Sequence, residues 1–218
     1  MIVHPIGMMR ANAAASGLPF VDDFASSGGH TYTAGDSIYV NTNYTDLPTK
    51  SFGAGFVIST PVGKAGLVTG ANNRKVGKFT GATLSNDRSF EVTLDQAPVG
   101  WGNNYHFCLR FVDDLNWISF RVYDNKLRYI TKYIAGSFTS LGTDMNQVLS
   151  NGDVIKGVIV GDTVEVFYNG VSKATFTDAT LLGPGGALET GDIGWWFDAI
   201  HAGVTTPPLF GSWTFDDE

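Results

Sequence analysis

Apolar and polar residues alternate through residues 104–134 in three successive runs, which cover residues 105–112, 117–123 and 127–134. Alternation with a period of two is typical of a β-strand that buries one face. Asp124 and Asn125 separate the second run from the third, and this pair supports the positive φ angles of a two-residue hairpin. The stretch therefore predicts a meander of three antiparallel strands. Its polar positions show no acid–base pair and no metal-ligand spacing, so we expect it to hold the fold together rather than to carry function.

Shorter alternating runs cover most of the remaining chain, with turn-forming residues between them. Asn169-Gly170 is a strong hairpin signal, and Gly161-Asp162 fits a type II′ turn. About a dozen strands at a spacing of roughly 8–12 residues are typical of a sandwich or barrel. Residues 144–151 predict a single helical turn, but no helical period of useful length occurs. The chain thus predicts an all-β fold, a single-domain β-sandwich of two stacked antiparallel sheets.

The two ends of the chain differ in character. Residues 1–18 are predicted to form an extended N-terminal arm, and residues 19–218 form the sandwich domain. His4, Pro5 and Arg10 interrupt the apolar residues of the arm, so it does not match a signal peptide. The sequence at 22–24 (DDF) is similar to the sequence at 215–217 (FDD), which indicates that the two ends of the domain pair side by side.

The composition restricts the classes of partner. Of the 218 residues, 43% are hydrophobic, which is enough for a core, and the net charge is −7 at pH 7. Because no basic face is visible, this charge argues against nucleic acid as a partner. No apolar run approaches the ~18 residues that a membrane span needs. The single cysteine, Cys108, excludes an intrachain disulfide and is expected to be a small buried hydrophobe.

Candidate catalytic and metal-binding residues are few. Glu91 and Asp95 are four positions apart, about 13 Å along a strand, whereas the carboxylates of a retaining glycosidase are ~5 Å apart. The four histidines are scattered singly, so neither a metal site nor a catalytic triad is predicted. We therefore expect no enzymatic activity and no cofactor. Calcium is the alternative, because acidic pairs at 22–23, 113–114 and 216–217 offer oxygen ligands, although exposed aspartates at turns are usually turn formers.

Several runs resemble a known family of domains. Residues 113–122 (DDLNWISFRV) and 158–170 (VIVGDTVEVFYNG), with GDIGWW at 191–196 and FDD at the end, resemble concanavalin A-like (laminin G-like) jelly-roll domains. VDDF at 21–24 resembles the start of such domains in minor tail proteins of bacteriophages. Some relatives of this fold hydrolyse β-glucans with a strand that carries Glu-x-Asp-x-x-Glu, and that motif is missing here.

The resemblance implies a non-enzymatic structural protein of a bacteriophage virion, either a minor tail protein or a capsid decoration protein. Such a protein is made in the host cytoplasm and displayed on the surface of the particle. Its implied partners are other virion proteins, in multiple copies or as a homo-oligomer, with host-surface carbohydrate as a further ligand. A free carbohydrate-binding lectin module is the alternative, and a glycan-cleaving enzyme is a third hypothesis.

Aromatic side chains are the expected contacts, because sugar-binding sites use aromatic faces against the rings and Asn or Asp to hold the hydroxyls. Trp101 lies between two glycines in a predicted turn and is followed by Asn103 and Asn104. Trp195 and Trp196 are adjacent on a predicted strand, so they must point to opposite faces. The predicted contact residues, for carbohydrate or for a partner protein, are Trp101, Asn103, Asn104 and Trp196.

Structural roles are predicted for two further tryptophans and for the histidine of the meander. Trp117 and Trp213 are expected to pack in the core of the sandwich. His106 shares a face with Cys108 and is expected to be a buried histidine with satisfied hydrogen bonds rather than a ligand.

Overall fold

A computed structural model of the chain describes residues 20–22, 26–27, 30–31, 44–46, 56–58, 65–67, 73–80, 85–100, 103–199, 204–206 and 209–218. The predicted N-terminal arm (residues 1–18) and Trp101 lie outside these residues. Within the described part, no helix is long and apolar enough to cross a membrane.

The described residues are almost entirely β-structure, as the alternation predicts. The strands are β1 (Phe20–Asp22), β2 (Ser26–Ser27), β3 (His30–Thr31), β4 (Tyr44–Asp46), β5 (Phe56–Ile58), β6 (Ala65–Leu67), β7 (Asn73–Phe79), β8 (Arg88–Gln96), β9 (Val99–Gly100), β10 (Asn103–Asp113), β11 (Asn116–Tyr123), β12 (Lys126–Ile134), β13 (Ser137–Leu141), β14 (Gln147–Val148), β15 (Val154–Val160), β16 (Thr163–Tyr168), β17 (Val171–Thr177), β18 (Asp192–Ala199), β19 (Val204–Thr206) and β20 (Leu209–Asp217). One short helix, α1 (Ala179–Leu182), completes the described elements.

Two eight-stranded sheets form the body of the molecule. Sheet I has the order β17-β16-β15-β8-β20-β6-β5, and β1 also pairs with β20. Sheet II has the order β13-β12-β11-β10-β18-β7-β4, and β14 also pairs with β12. The registers described for both sheets are antiparallel throughout. The predicted sandwich of stacked antiparallel sheets is therefore confirmed.

Aromatic side chains dominate the core between the two sheets. Phe90 of sheet I packs against Phe107 and Phe120 of sheet II and against Trp213 and Phe215 of its own sheet, with ring centroids 4.8–6.2 Å apart. These contacts are edge-on, which is a favoured arrangement for aromatic pairs. All five rings are fully buried or nearly so, and the core position predicted for Trp213 is confirmed.

The strands and hairpins of the central meander agree with the prediction from the sequence. β10, β11 and β12 are consecutive antiparallel neighbours, and the hairpin between β11 and β12 has Asp124 at φ 56°. Asn169 and Gly170 have φ angles of 49° and 76°, the two positive values that a tight hairpin turn requires. Gly161, in the predicted type II′ turn, has a φ of 57°. The turns predicted at 161–162 and 169–170 are confirmed, whereas at 124–125 the hairpin is present but only Asp124 has a positive φ.

The prediction of a helical turn at 144–151 is wrong. Residues 147–148 form β14 because the backbone of this segment bonds to β12 and to the turn before it. Met145 N donates to Arg128 O (2.7 Å), and Leu149 N donates to Asn125 O (2.9 Å). Helix α1 occurs later in the chain, where the Asp178 carboxylate caps it by accepting hydrogen bonds from two of its N–H groups. Four residues are too few for a helical period to show in the sequence.

The predicted pairing of the two ends of the domain is confirmed. Strand β1 runs antiparallel to β20, with Phe20 opposite Phe215 and Asp22 opposite Trp213. The first and last described strands of the domain are therefore neighbours in sheet I.

Candidate functional site

Sheet II carries a second buried cluster on the face that is turned away from sheet I. Val76, Cys108, Phe111 and Trp117 form this cluster, and Tyr133 and Trp196 pack against it. The alternation of the strands explains the arrangement, because Trp195 belongs to the main core and the adjacent Trp196 must point outward. We call this surface the outer face of sheet II.

Three aromatic rings from three strands form one patch on this face. Trp117 of β11 stacks on Tyr133 of β12, with centroids 5.2 Å apart and planes 16° apart. Trp196 of β18 lies 6.1 Å from Trp117 and 5.9 Å from Tyr133. Trp117 is only 2% exposed, whereas Tyr133 and Trp196 are half-buried and present part of their rings to solvent. The buried ring therefore supports two accessible ones. We call these three residues the aromatic patch.

The buried indole nitrogen of this patch lacks a partner. Trp117 Nε1 makes no hydrogen bond to the described residues, whereas Trp196 Nε1 donates to Asp198 Oδ2 at 3.1 Å. An unpaired buried donor costs about 1–3 kcal/mol. The patch thus contains one buried N–H without a partner among the described residues.

A polar network lies beside the aromatic patch on the same face. His106 Nδ1 is 3.1 Å from Ser119 Oγ and 3.1 Å from Thr131 Oγ1, and the two hydroxyl oxygens are 2.8 Å apart. The His106 ring packs against Trp117 with centroids 4.8 Å apart. Burial lowers the pKa of His106 well below 6.5, and the charge of Arg121 lowers it further. The imidazole is therefore neutral at pH 7 and fixes the position of Trp117, in agreement with the predicted structural role.

Arg121 supplies the cation of this face. Its Nε donates to Asn104 Oδ1 at 2.8 Å, and its guanidinium carbon lies 4.5 Å from the Tyr123 ring centroid and 5.2 Å from that of Phe138. The Phe138 side chain is 44% exposed, so this end of the face is open to solvent. Burial lowers the pKa of Arg121, which nevertheless stays charged at neutral pH.

The structure describes the side chains of two of the four predicted contact residues. Trp196 lies on the outer face with part of its ring exposed, and Asn104 lies on the same sheet and holds Arg121. Asn103 belongs to β10, but its side chain lies outside the described residues, as does Trp101. The burial predicted for Trp117 is confirmed. Trp117 belongs to the outer cluster rather than to the main core, because its neighbour Ile118 takes the inward position.

Sequence reasoning missed three members of the site, which are Trp117, Arg121 and Tyr133. All three occupy outward positions of the meander, which was expected to be structural only. The signal was present in the alternation, because one face of β11 reads Trp117, Ser119, Arg121 and Tyr123. Two aromatic residues and an arginine on the side opposite the core are more than a solvated face requires.

A separate cleft of about 360 Å³ lies beside α1 and includes the buried Arg110. The guanidinium of Arg110 donates at 2.8–3.2 Å to backbone carbonyl oxygens of Asn86, Gly161, Leu182 and Leu188. These bonds tie four chain segments together and occupy the donors that a ligand would use. We therefore assign Arg110 a structural role.

The acidic pairs considered for calcium serve as turn and strand-end partners where the structure describes them. Asp113 Oδ1 accepts hydrogen bonds from Leu115 N (2.7 Å) and Asn116 Nδ2 (2.9 Å). Asp217 Oδ1 accepts one from Ser85 N at 2.6 Å. Within the described ranges, no group of three or more His, Cys, Asp or Glu side chains is placed to hold a metal ion.

No protein-family model matches the chain, and no curated protein matches it. Similar folds occur among solved structures. The GH43 protein BlXynB from Bacillus licheniformis has a TM-score of 0.59 at 16% identity, and the match covers 91% of this chain and 39% of that one. The chain therefore spans well under half of the length of that structure.

Two further structures match over most of their own length. The carbohydrate-binding module CBM66 from Bacillus subtilis has a TM-score of 0.52 at 10% identity, with 80% of this chain and 92% of the module covered. An endo-1,3-beta-glucanase from Streptomyces sioyaensis has a TM-score of 0.52 at 11% identity, with 90% and 94% covered. These similarities establish a jelly-roll β-sandwich and, at such identities, the fold alone.

Proposed function

We propose that the protein is a non-catalytic carbohydrate-binding domain and that the outer face of sheet II is its binding surface. The observation that carries this proposal is the aromatic patch, in which Tyr133 and Trp196 expose part of their rings above the buried Trp117. Apolar faces of sugar rings pack against such aromatic faces, while polar groups beside them orient the hydroxyls.

The polar groups needed for orientation lie next to the patch. In the strand register, His106 is opposite Trp196 on one side and opposite Arg121 on the other. The spacing of neighbouring strands places the Cα atoms of Trp196 and Arg121 roughly 10 Å apart. One oligosaccharide can therefore contact the rings and reach the guanidinium and the Asn104 amide that is bonded to it.

The carboxylates described on this face support binding rather than hydrolysis. Asp192 and Asp198 share the outward side of β18 but are roughly 20 Å apart along the strand, whereas glycosidase pairs are ~5–10 Å apart. Asp192 is paired with Lys78 at 2.6 Å, and Asp198 is buried and bonded to Trp196. A domain of this kind holds a glycan without cleaving it.

The comparisons support the proposal at the level of fold. CBM66 is described as a carbohydrate-binding module, and its match extends over 92% of its length. The match to the endo-1,3-beta-glucanase, over 94% of its length, shows that an enzyme also has this fold. The residues of the face, rather than the fold, therefore decide between binding and catalysis.

A glycan array with matched variants tests the proposal. Tyr133→Ala and Trp196→Ala should each weaken binding of the glycan that the wild type selects by about tenfold or more, which corresponds to about 1.4 kcal/mol. Phe167→Ala is the control, because Phe167 is a half-buried aromatic residue on the outward side of sheet I. Thermal unfolding should show all three variants folded. Absence of glycan binding by the wild type, or equal losses in all three variants, would contradict the proposal.

The virion setting implied by the sequence resemblance stays a prediction, and it is compatible with a glycan-binding surface on a particle. Mass spectrometry of purified phage particles tests it. Detection of the chain in a fixed copy number supports the virion setting, and its absence leaves a free binding module as the setting of the domain.

A further inference from the structure

The open end of the outer face contains a cation, Arg121, that forms no ion pair within the described residues. Arg128, on the neighbouring strand, forms an ion pair with Asp144 at 2.6 Å. Arg121, in contrast, makes a single hydrogen bond within the described residues, from Nε to Asn104, and no ion pair there. No carboxylate of the described residues therefore contacts the Arg121 guanidinium, and Asp124 acts on it only through space.

The surroundings of Arg121 orient the guanidinium instead of neutralising it. The rings of Tyr123 and Phe138 lie within 4.5 and 5.2 Å of the guanidinium carbon. The bond from Nε to Asn104 fixes its plane and leaves both Nη nitrogens without a protein acceptor among the described residues. Because Arg121 is partly desolvated, as its lowered pKa shows, an anionic ligand gains more here than at a fully exposed arginine.

We propose that this face selects glycans that carry a carboxylate, such as oligosaccharides of uronic acids, and that Arg121 binds the carboxylate. The proposal rests on the proposed carbohydrate-binding function and specifies its ligand. A planar guanidinium with a fixed Nε bond presents its two Nη donors in the geometry that a carboxylate accepts. The aromatic patch holds the sugar rings that carry or adjoin the acid group.

The net charge of −7 does not oppose this assignment. Charges more than about 8 Å apart are largely screened at physiological ionic strength, so the groups close to Arg121 decide the local potential. Arg128 and Asp124 act on Arg121 with opposite effects, since Arg128 lowers its pKa and Asp124 raises it. The local positive charge of Arg121 therefore remains available to an acidic sugar.

Pairs of acidic and carboxyl-reduced oligosaccharides test whether the protein prefers a carboxylate. The probes are oligosaccharides of homogalacturonan, alginate and hyaluronan, each measured by calorimetry beside its carboxyl-reduced form. The wild type should bind at least one acidic form about tenfold or more tightly than its reduced form. Arg121→Gln should remove this preference and leave the affinity for the reduced form nearly unchanged, whereas Arg121→Lys should retain part of it because the charge remains.

Lys126→Gln is the matched control. Lys126 is a cation on the same sheet whose Nζ bonds to Asn146 at 2.9 Å, so its removal should preserve the preference. Equal binding of acidic and reduced forms by the wild type would overturn the inference and leave the proposed function standing. A sulfated neutral glycan that binds as tightly as the uronate would overturn the assignment of a carboxylate. Absence of binding to every glycan on a broad array would refute the proposed function itself.

Discussion

At the scale of single residues, the outer face depends on a neutral histidine. The unfolded chain binds a proton at His106 below about pH 6.5, whereas burial and Arg121 hold the pKa of the folded protein well below that value. The contribution of this group to stability is therefore complete above pH 6.5 and decreases as the pH falls towards the folded pKa. The free energy of unfolding can decrease by about 1.4 kcal/mol for each pH unit in this range.

His106→Asn isolates this effect, because the amide retains a polar group near the hydroxyls of Ser119 and Thr131 and cannot titrate. The free energy of unfolding, measured with urea between pH 7 and 5, should fall more steeply in the wild type than in the variant. The other histidines are common to both proteins and cancel in the difference. Parallel curves would show that the pKa of His106 is not lowered in the folded protein.

Only some residues of the site could be predicted from the sequence. The opposite directions of Trp195 and Trp196 follow from local alternation, so Trp196 could be predicted. The neighbours of Arg121 could not be predicted, because they depend on the register of the meander strands, which β-bulges shift between Cys108 and Arg110 and between Phe120 and Val122. The outward direction of Trp117, in contrast, follows from local alternation, because Ile118 and Phe120 face inward.

At the scale of elements, the contact between the two sheets depends on a glycine. Gly157 of β15 lies opposite Phe120 of sheet II, and a Cβ added there would lie 2.7 Å from Phe120 Cε1 and 3.2 Å from Leu109 Cδ1. Phe120 cannot move away easily, because it stacks on Phe107 with centroids 5.0 Å apart. We expect Gly157→Ala to lower the free energy of unfolding by about 1–3 kcal/mol.

Gly211→Ala is the matched control for this contact. A Cβ at Gly211, in β20 of the same sheet, would meet only ordinary contacts, the nearest being Asp95 Cβ at 3.6 Å. Its effect on the free energy of unfolding should lie within about 0.5 kcal/mol. Equal effects of the two substitutions in urea unfolding would show that the sheets do not meet at Gly157 as described.

The sequence predicted individual strands and turns better than it predicted contacts between them. Alternation and turn residues predicted the meander and its hairpins, because both signals act within a few residues. The segment at 144–151 was predicted wrongly because its conformation depends on bonds to β12, which no local pattern encodes. Helix α1 is set by the Asp178 cap and is too short to show a period.

At the scale of the whole molecule, the two faces of sheet II have separate roles. The inward face of β10–β12 and β18 builds the core with sheet I, and the outward face of the same strands carries the aromatic patch, His106 and Arg121. The stretch at 104–134 is therefore both scaffold and candidate binding surface. The core behind sheet II holds the strands of this face in place, which favours a preformed site.

Chemical-shift mapping locates the binding surface. The backbone amide signals of the ¹⁵N-labelled protein would be followed while the glycan selected on the array is added. We expect the largest shifts in β10, β11, β12 and β18, with the Trp196 indole signal among them. Shifts confined to the cleft beside α1, or to the segment around Trp101, would contradict it.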